Sequence, residues 1–212
     1  MRISRAGWAL MTVLSLGIVA YAAKYLGFDP SVYFENQRLV YMQHELALGA
    51  HIGGAMLALT VGPLQFAKRL RTRLPRVHRT LGALYLFGCL VGGIGGLALA
   101  TTAHGGPVAG IGFAALAVGW LVTGGMGLRM ILTGRVAEHR RWMIRSFSLT
   151  FAAVTLRVML GAYAGLSAAD LIDVSFTTAY IWIAWLCWVP NLLVALWYTR
   201  RPVQERVLVG AH

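Results

Sequence analysis

Residues 81–101 read LGALYLFGCLVGGIGGLALAT, and the segment just before them, residues 68–79, reads KRLRTRLPRVHR. The first stretch has no charge and is about the 20 residues that a helix needs to cross a bilayer core. The second is a dense basic turn of the kind retained on the cytoplasmic side of a membrane. Together they decide the fold class: an all-α, polytopic membrane protein. The same test applied outward gives five further runs, at 6–26, 44–66, 108–132, 143–164 and 174–198. The expectation is a single membrane domain of six transmembrane helices, with spans two to five as a four-helix core. Residues 27–43, which hold Asp29, Pro30, Glu35, Asn36 and Arg38, read as an ordered outer loop or short helix.

Composition agrees. Of 212 residues, 58% are hydrophobic and 12% charged, with a formal net charge of +12. A soluble domain carries roughly 25% charged residues. The basic residues sit in short turns between apolar runs and not along one polar face, which argues for membrane topology and against nucleic-acid binding. Arg2 and Arg5 precede the first span; Lys68, Arg69, Arg71, Arg73, Arg76 and Arg79 fill the second connection; Arg135, Arg140, Arg141 and Arg145 follow in the fourth; Arg200, Arg201 and Arg206 follow the last span. The opposite side has Lys24 and Arg38. Both termini are therefore expected in the cytoplasm of a bacterial inner membrane. Ala20, Tyr21 and Ala22 also resemble a signal-peptide cleavage pattern, but a retained first span is the favoured reading.

Small and aromatic residues add detail. Gly49 with Gly53 and Gly92 with Gly96 are four apart, and Gly119, Gly124, Gly125 and Gly127 crowd the fourth span. Such spacing permits close helix packing and leaves room for a flat ligand between helices. Cys89 and Cys187 lie within apolar runs and read as buried residues, not as a disulfide or metal pair. In the last span, Trp182, Trp185 and Trp188 read as packing or interfacial residues. Pro190 should kink the same span and free a carbonyl that Asn191 could satisfy.

Ionisable residues at membrane depth are costly and usually face a partner, a cavity or a ligand. At 1.5 Å per residue, His51 lies roughly 10 Å below the outer surface, and Arg157 on the fifth span lies at about the same depth. Glu45, Asp170 or Asp173 could pair with Arg157; alternatively its planar fork suits a cofactor carboxylate such as a haem propionate. His78-Arg79 opens the third span as His139-Arg140 opens the fifth, so spans two and three look like a hairpin of which spans four and five are a weaker copy. In a four-helix core, His51 would face His104 near the outside and His78 would face His139 near the inside. Neutral imidazole is a standard axial ligand for haem iron, and bundle cores commonly hold cofactors between facing helices. The reading is transmembrane electron transfer by one or two haem b groups, with His51, His104, His78 and His139 as ligands and Arg157 at an outer propionate. A haem-dependent membrane oxidoreductase would need a quinone or a redox partner protein besides the lipid bilayer. His104 is followed by Gly105, Gly106 and Pro107, which places it in a loop.

An alternative is a metal-binding or transport protein in which His44, Glu45 and His51, with His104, form an outer site; His44 and His51 are seven residues apart and share a helix face. A third is a non-catalytic subunit of a larger membrane complex. There is no CxxCH for covalent haem, and no HExxH, GxSxG, phosphate loop or dinucleotide motif.

The stretches His51-Ile52-Gly53-Gly54, Gly62-Pro63-Leu64-Gln65-Phe66, His78-Arg79-Thr80-Leu81-Gly82 and Glu138-His139-Arg140-Arg141-Trp142-Met143-Ile144-Arg145-Ser146 resemble a family of bacterial membrane proteins catalogued as domain of unknown function 2306. The resemblance covers roughly residues 45–165 and implies a multi-span membrane protein with no established activity. A looser similarity, to the transmembrane di-haem cytochromes b including the b-561 group, implies a four-helix core with two haems held by histidine pairs. This sequence departs from that pattern in having no histidine within the fourth span.

Overall fold

The computed structural model describes residues 4–200. Arg2, Arg201 and Arg206, which entered the topology argument, and the sixth histidine, His212, lie outside the described residues. Those described form helices and connecting turns, with no strand.

Six helical segments are long and apolar enough to cross a membrane: Arg5–Gly27, Glu45–Gln65, Pro75–Ala100, Gly106–Leu132, Val136–Ala168 and Phe176–Arg200. The first comprises α1, Arg5–Ala22, continued by a 3-10 turn, Ala23–Gly27. A six-residue helix α2, Arg38–Gln43, leads into α3, Glu45–Gln65. The basic connection folds as α4, Lys68–Arg73, before α5, Pro75–Ala100. The fourth span is α6, Gly106–Leu132. The fifth is α7, Val136–Thr150, followed after a turn at Phe151 by α8, Ala152–Ala168. The sixth is α9, Phe176–Leu186, and α10, Val189–Arg200.

The third and fifth spans begin several residues earlier than hydropathy places them. Their first turns are basic yet helical, because Pro75 suits the start of a helix and Arg135 and Glu138 form an ion pair, Nη2 to Oε1 2.6 Å, across the first turn of α7. His78 and His139 thus sit on helices, not ahead of them. Residues 101–105 form a turn in which Gly105 adopts φ +87°, a left-handed conformation that favours glycine, and this sets His104 outside both helices.

α3 packs along α5 and also touches α7, while α6 packs on α5 and α7. The four form a bundle in which α3 faces α6 across one diagonal and α5 faces α7 across the other. The α3–α5 approach depends on glycine: a Cβ on Gly54 would overlap Gly88 and Gly92, lying 2.6 Å from the Gly88 carbonyl oxygen, and one on Gly95 would lie 2.6 Å from the Ala47 oxygen. Of the glycines singled out by spacing, Gly92 and Gly96 serve this contact, whereas Gly53 faces open space and Gly49 meets the Phe28 ring. The relevant glycine is Gly54, one residue on, because α5 crosses that face of α3.

α1 lies against α3 and α8, and the Trp8 indole Nε1 donates to the Pro63 carbonyl at 2.9 Å. The kink expected in the last span is present between α9 and α10. Asn191 Nδ2 donates not to the Leu186 carbonyl that Pro190 leaves without its N–H but to the next one, Cys187, at 3.1 Å, and also to Thr155 Oγ1 at 2.9 Å and the Ser148 carbonyl at 3.4 Å. One amide therefore ties the break in the sixth span to the break at Phe151 in the fifth. Cys89 and Cys187 are buried free thiols.

Candidate functional site

Between the diagonal helices α3 and α6, in the half of the bundle away from the basic turns, lies a cavity of about 220 Å³. Its walls are mostly hydrocarbon, with His51 from α3, Arg157 from α8, Tyr180 from α9, and Tyr25, Gln37 and Tyr41 from the segment that caps it. The cap is held by packing of Tyr25 and Tyr33 with Leu48 and by a hydrogen bond from Gln37 Nε2 to the Tyr180 hydroxyl at 3.2 Å. At its edge, Asp29 accepts from the Ser31 N–H at 2.8 Å, and that bond holds the exposed carboxyl below its ordinary value. Desolvation raises the pKa of the Tyr41 phenol above its ordinary value, so it stays a neutral donor.

His51 Nδ1 lies 2.8 Å from the carbonyl oxygen of Gly92 on α5. A carbonyl only accepts, so Nδ1 carries the proton and the neutral ring has its lone pair on Nε2. A Cβ on Gly96 would stand 2.7 Å from His51 Nδ1, so the imidazole lies in a cradle that only glycine leaves open. His139 repeats the arrangement at the basic end, with Nδ1 2.8 Å from the carbonyl of Gly127 on α6. A hydrogen bond of this type fixes tautomer and ring orientation in metal-ligating histidines.

Arg157 forms no ion pair with any described residue. Among the described residues the ion pair within 4 Å is Arg135 with Glu138, so Glu45, Asp170 and Asp173 do not take the partner role considered for them. The guanidinium instead stands 5.6 Å from the centre of the Tyr21 ring and lines the cavity with His51.

His104 is drawn elsewhere. Its Nε2 is 3.1 Å from Thr177 Oγ1, and its ring packs at 5.3 Å on Phe176 and at 5.5 Å, edge-on, against Tyr180. It reaches the cavity wall only through Tyr180. His44 and Glu45 are exposed at the start of α3, while His51 lies two turns further in; no group of three His, Cys, Asp or Glu side chains converges among the described residues.

Below the cavity the other diagonal is bridged by hydroxyls. Tyr85 on α5 bonds to Ser146 Oγ at 2.9 Å and Thr150 Oγ1 at 2.8 Å on α7, and the Trp120 indole donates to Thr150 Oγ1 at 2.9 Å. His78 lies seven residues before Tyr85, and His139 seven before Ser146. Seven residues are two turns on the same face, so the contact sets the register in which His78 and His139 approach each other about 10 Å nearer the basic end. His139 is close enough to act electrostatically on His78, as are Arg71 and Arg79. Two buried polar atoms there, His78 Nδ1 and Gln65 Nε2, have no hydrogen-bond partner among the described residues. The bundle thus brings together His51 with Arg157 and His78 with His139, and it holds His104, His44 and Glu45 apart from them.

Sequence reasoning missed the tyrosines of the cap, Gln37, Gln65 and the Tyr85 bridge. The spacing of seven from each basic-end histidine to a hydroxyl residue was the available signal for the last.

A family model described as "Predicted membrane protein (DUF2306)" matches residues 48–199. No curated protein and no solved structure matches the chain.

Proposed function

From the premise that the chain belongs to the DUF2306 family of predicted membrane proteins, we propose that it carries electrons across the bacterial inner membrane on b-type haem held in the α3–α5–α6–α7 core. The observation that carries this reading is the His51 imidazole, locked by Gly92 through Nδ1 with its lone pair on Nε2, beside a cavity that also holds Arg157, which meets no carboxylate among the described residues. In chemical type the donors suit the group: an oriented neutral imidazole for iron, and a cation that meets no carboxylate among the described residues for a propionate. At the basic end, His139, locked in the same way, and His78, with its orphaned nitrogen, form the second candidate pair.

The group, when bound, supplies one-electron chemistry. The chain's residues hold and tune it: Gly92 and Gly127 fix the two rings, Arg157 neutralises a carboxylate, and the capping tyrosines limit water. At about 220 Å³ the cavity lies below the roughly 300–1,000 Å³ of typical ligand pockets, so seating a macrocycle requires its walls to open. In this reading the basic turns face the cytoplasm, as the positive-inside rule favours, and the cavity faces the outer side. The electron donor or acceptor is a quinone or a redox protein.

The test is a reduced-minus-oxidised spectrum of the purified full chain from haem-replete cells. Haem bands that weaken in His51→Ala and in His139→Ala support the reading, and a colourless preparation overturns it.

A further inference from the structure

A second open space lies between α5 and α6, on the lipid-facing side of the bundle and towards its basic end. Near the turn that joins them the two helices meet backbone to backbone: a Cβ on Gly110 would stand 2.7 Å from the Ala100 carbonyl oxygen. About four turns further along α6, at Gly125, an added Cβ would meet nothing within 4 Å. The space there is a cleft of about 350 Å³, walled among other apolar residues by Ala83, Phe87 and Leu90 of α5 and by Leu121, Gly125 and Leu128 of α6. Phe87, Leu90 and Leu128 are exposed, so the cleft opens towards lipid. Residues 83–90 and 121–128 each rise about 10 Å, which makes it a slot running along the helices, and its volume falls within the roughly 300–1,000 Å³ of ligand pockets. Glycine inside a helix is destabilising relative to alanine, yet no described residue packs where a Gly125 side chain would stand.

The basic-end mouth of the cleft is charged. Arg79 lies four residues before Ala83 on α5, Arg129 lies four residues after Gly125 on α6, and the two helices run in opposite directions. Each arginine therefore stands one turn, about 6 Å, from a residue that lines the cleft, on the same helix face, and both stand towards the basic end. Both are exposed, and among the described residues neither forms an ion pair. Cations one turn inside a membrane-spanning helix need a partner, and a phosphate matches the planar guanidinium fork. Basic pockets between helices on the cytoplasmic side commonly seat anionic headgroups. We propose that the α5–α6 cleft is a site for one anionic glycerophospholipid of the leaflet on the basic side, with an acyl chain along the slot and the phosphate held by Arg79 and Arg129. A second copy of the chain suits the cleft less well. Two copies joined here about an axis normal to the membrane would set these arginines against their equivalents at the same depth, like charge against like charge. The site is separate from the cavity beside His51 and does not depend on haem.

The experiment is native mass spectrometry of the purified full chain in detergent, titrated with phosphatidylglycerol or with phosphatidylcholine of the same acyl chains. Wild type should retain one lipid and prefer phosphatidylglycerol by about fivefold or more, the worth of one basic side chain near an anionic surface. Arg79→Gln combined with Arg129→Gln should bring the preference to about one. Lys68→Gln combined with Arg69→Gln, which removes the same charge from the basic turn but away from the cleft, should keep it. Gly125→Leu should fill the slot, elute from size exclusion as wild type does, and retain neither lipid; if it does not fold, the two charge pairs carry the test alone. Equal retention of the two lipids by wild type, or an equal loss of preference in both charge pairs, overturns the proposal. So does a dimer that Gly125→Leu dissociates, since the cleft then takes a second copy. None of these readouts involves haem, so failure here leaves the electron-transfer reading as it stood.

Discussion

At the residue scale, Arg157 is the informative charge. A guanidinium within a membrane bundle that meets the Tyr21 ring and a cavity, with no carboxylate among the described residues, is costly unless a ligand supplies the anion. Arg157→Leu should lower the midpoint potential of the outer haem, because removing a nearby cation favours the oxidised state; a redox titration checks this, and an unchanged potential removes Arg157 from the site. Asn191 has a different role. Its amide satisfies carbonyls that two helix breaks leave open, so Asn191→Leu should destabilise the protein by about 0.6–1.7 kcal/mol, the range of interhelical hydrogen bonds in membranes, read as a lower unfolding temperature in detergent with haem content retained. Depth and charge in the sequence were enough to single out His51 and Arg157. They could not reveal that His104 turns towards Thr177, since this depends on the left-handed turn at Gly105 and on aromatic neighbours contributed by the sixth span.

At the scale of elements, the α3–α5 hairpin is the tightest join, and its glycines are not equivalent. Gly54→Leu should prevent a folded, monodisperse protein, because any side chain there meets the α5 backbone; Gly53→Ala should be tolerated, since its Cβ meets nothing within 4 Å. Size-exclusion chromatography of both variants separates the two cases, and equal behaviour would contradict the packing described. The six spans were legible from hydropathy because apolar length and basic turns are properties of single segments. The starts of α5 and α7 were not, because hydropathy penalises arginines that snorkel from the first helical turn into the interface. The near miss at Gly53 has the same origin: four-residue spacing identifies a small face of a helix, but the crossing of its neighbour decides which glycine is touched.

At the scale of the whole molecule, the bundle sets His51 with Arg157 towards one end and His78 with His139 towards the other, with the Tyr85–Ser146–Thr150–Trp120 bridge between them. An even number of spans puts the connections at 66–75 and 133–135 on one side and 101–105 and 169–175 on the other. Arg135→Cys should be labelled by an impermeant thiol reagent only in inverted vesicles, and Asp173→Cys only in intact spheroplasts; labelling of both from one side would refute the arrangement. The contact between Trp8 and Pro63 bears on the order of assembly. A chain made from its N-terminus delivers the first span to the membrane ahead of the second, so the Trp8 indole has no Pro63 carbonyl to meet until α3 is in place. The other neighbour of the first helix is α8, so its seat is complete only once the fifth span is in place, and the cap over the cavity continues directly from that helix.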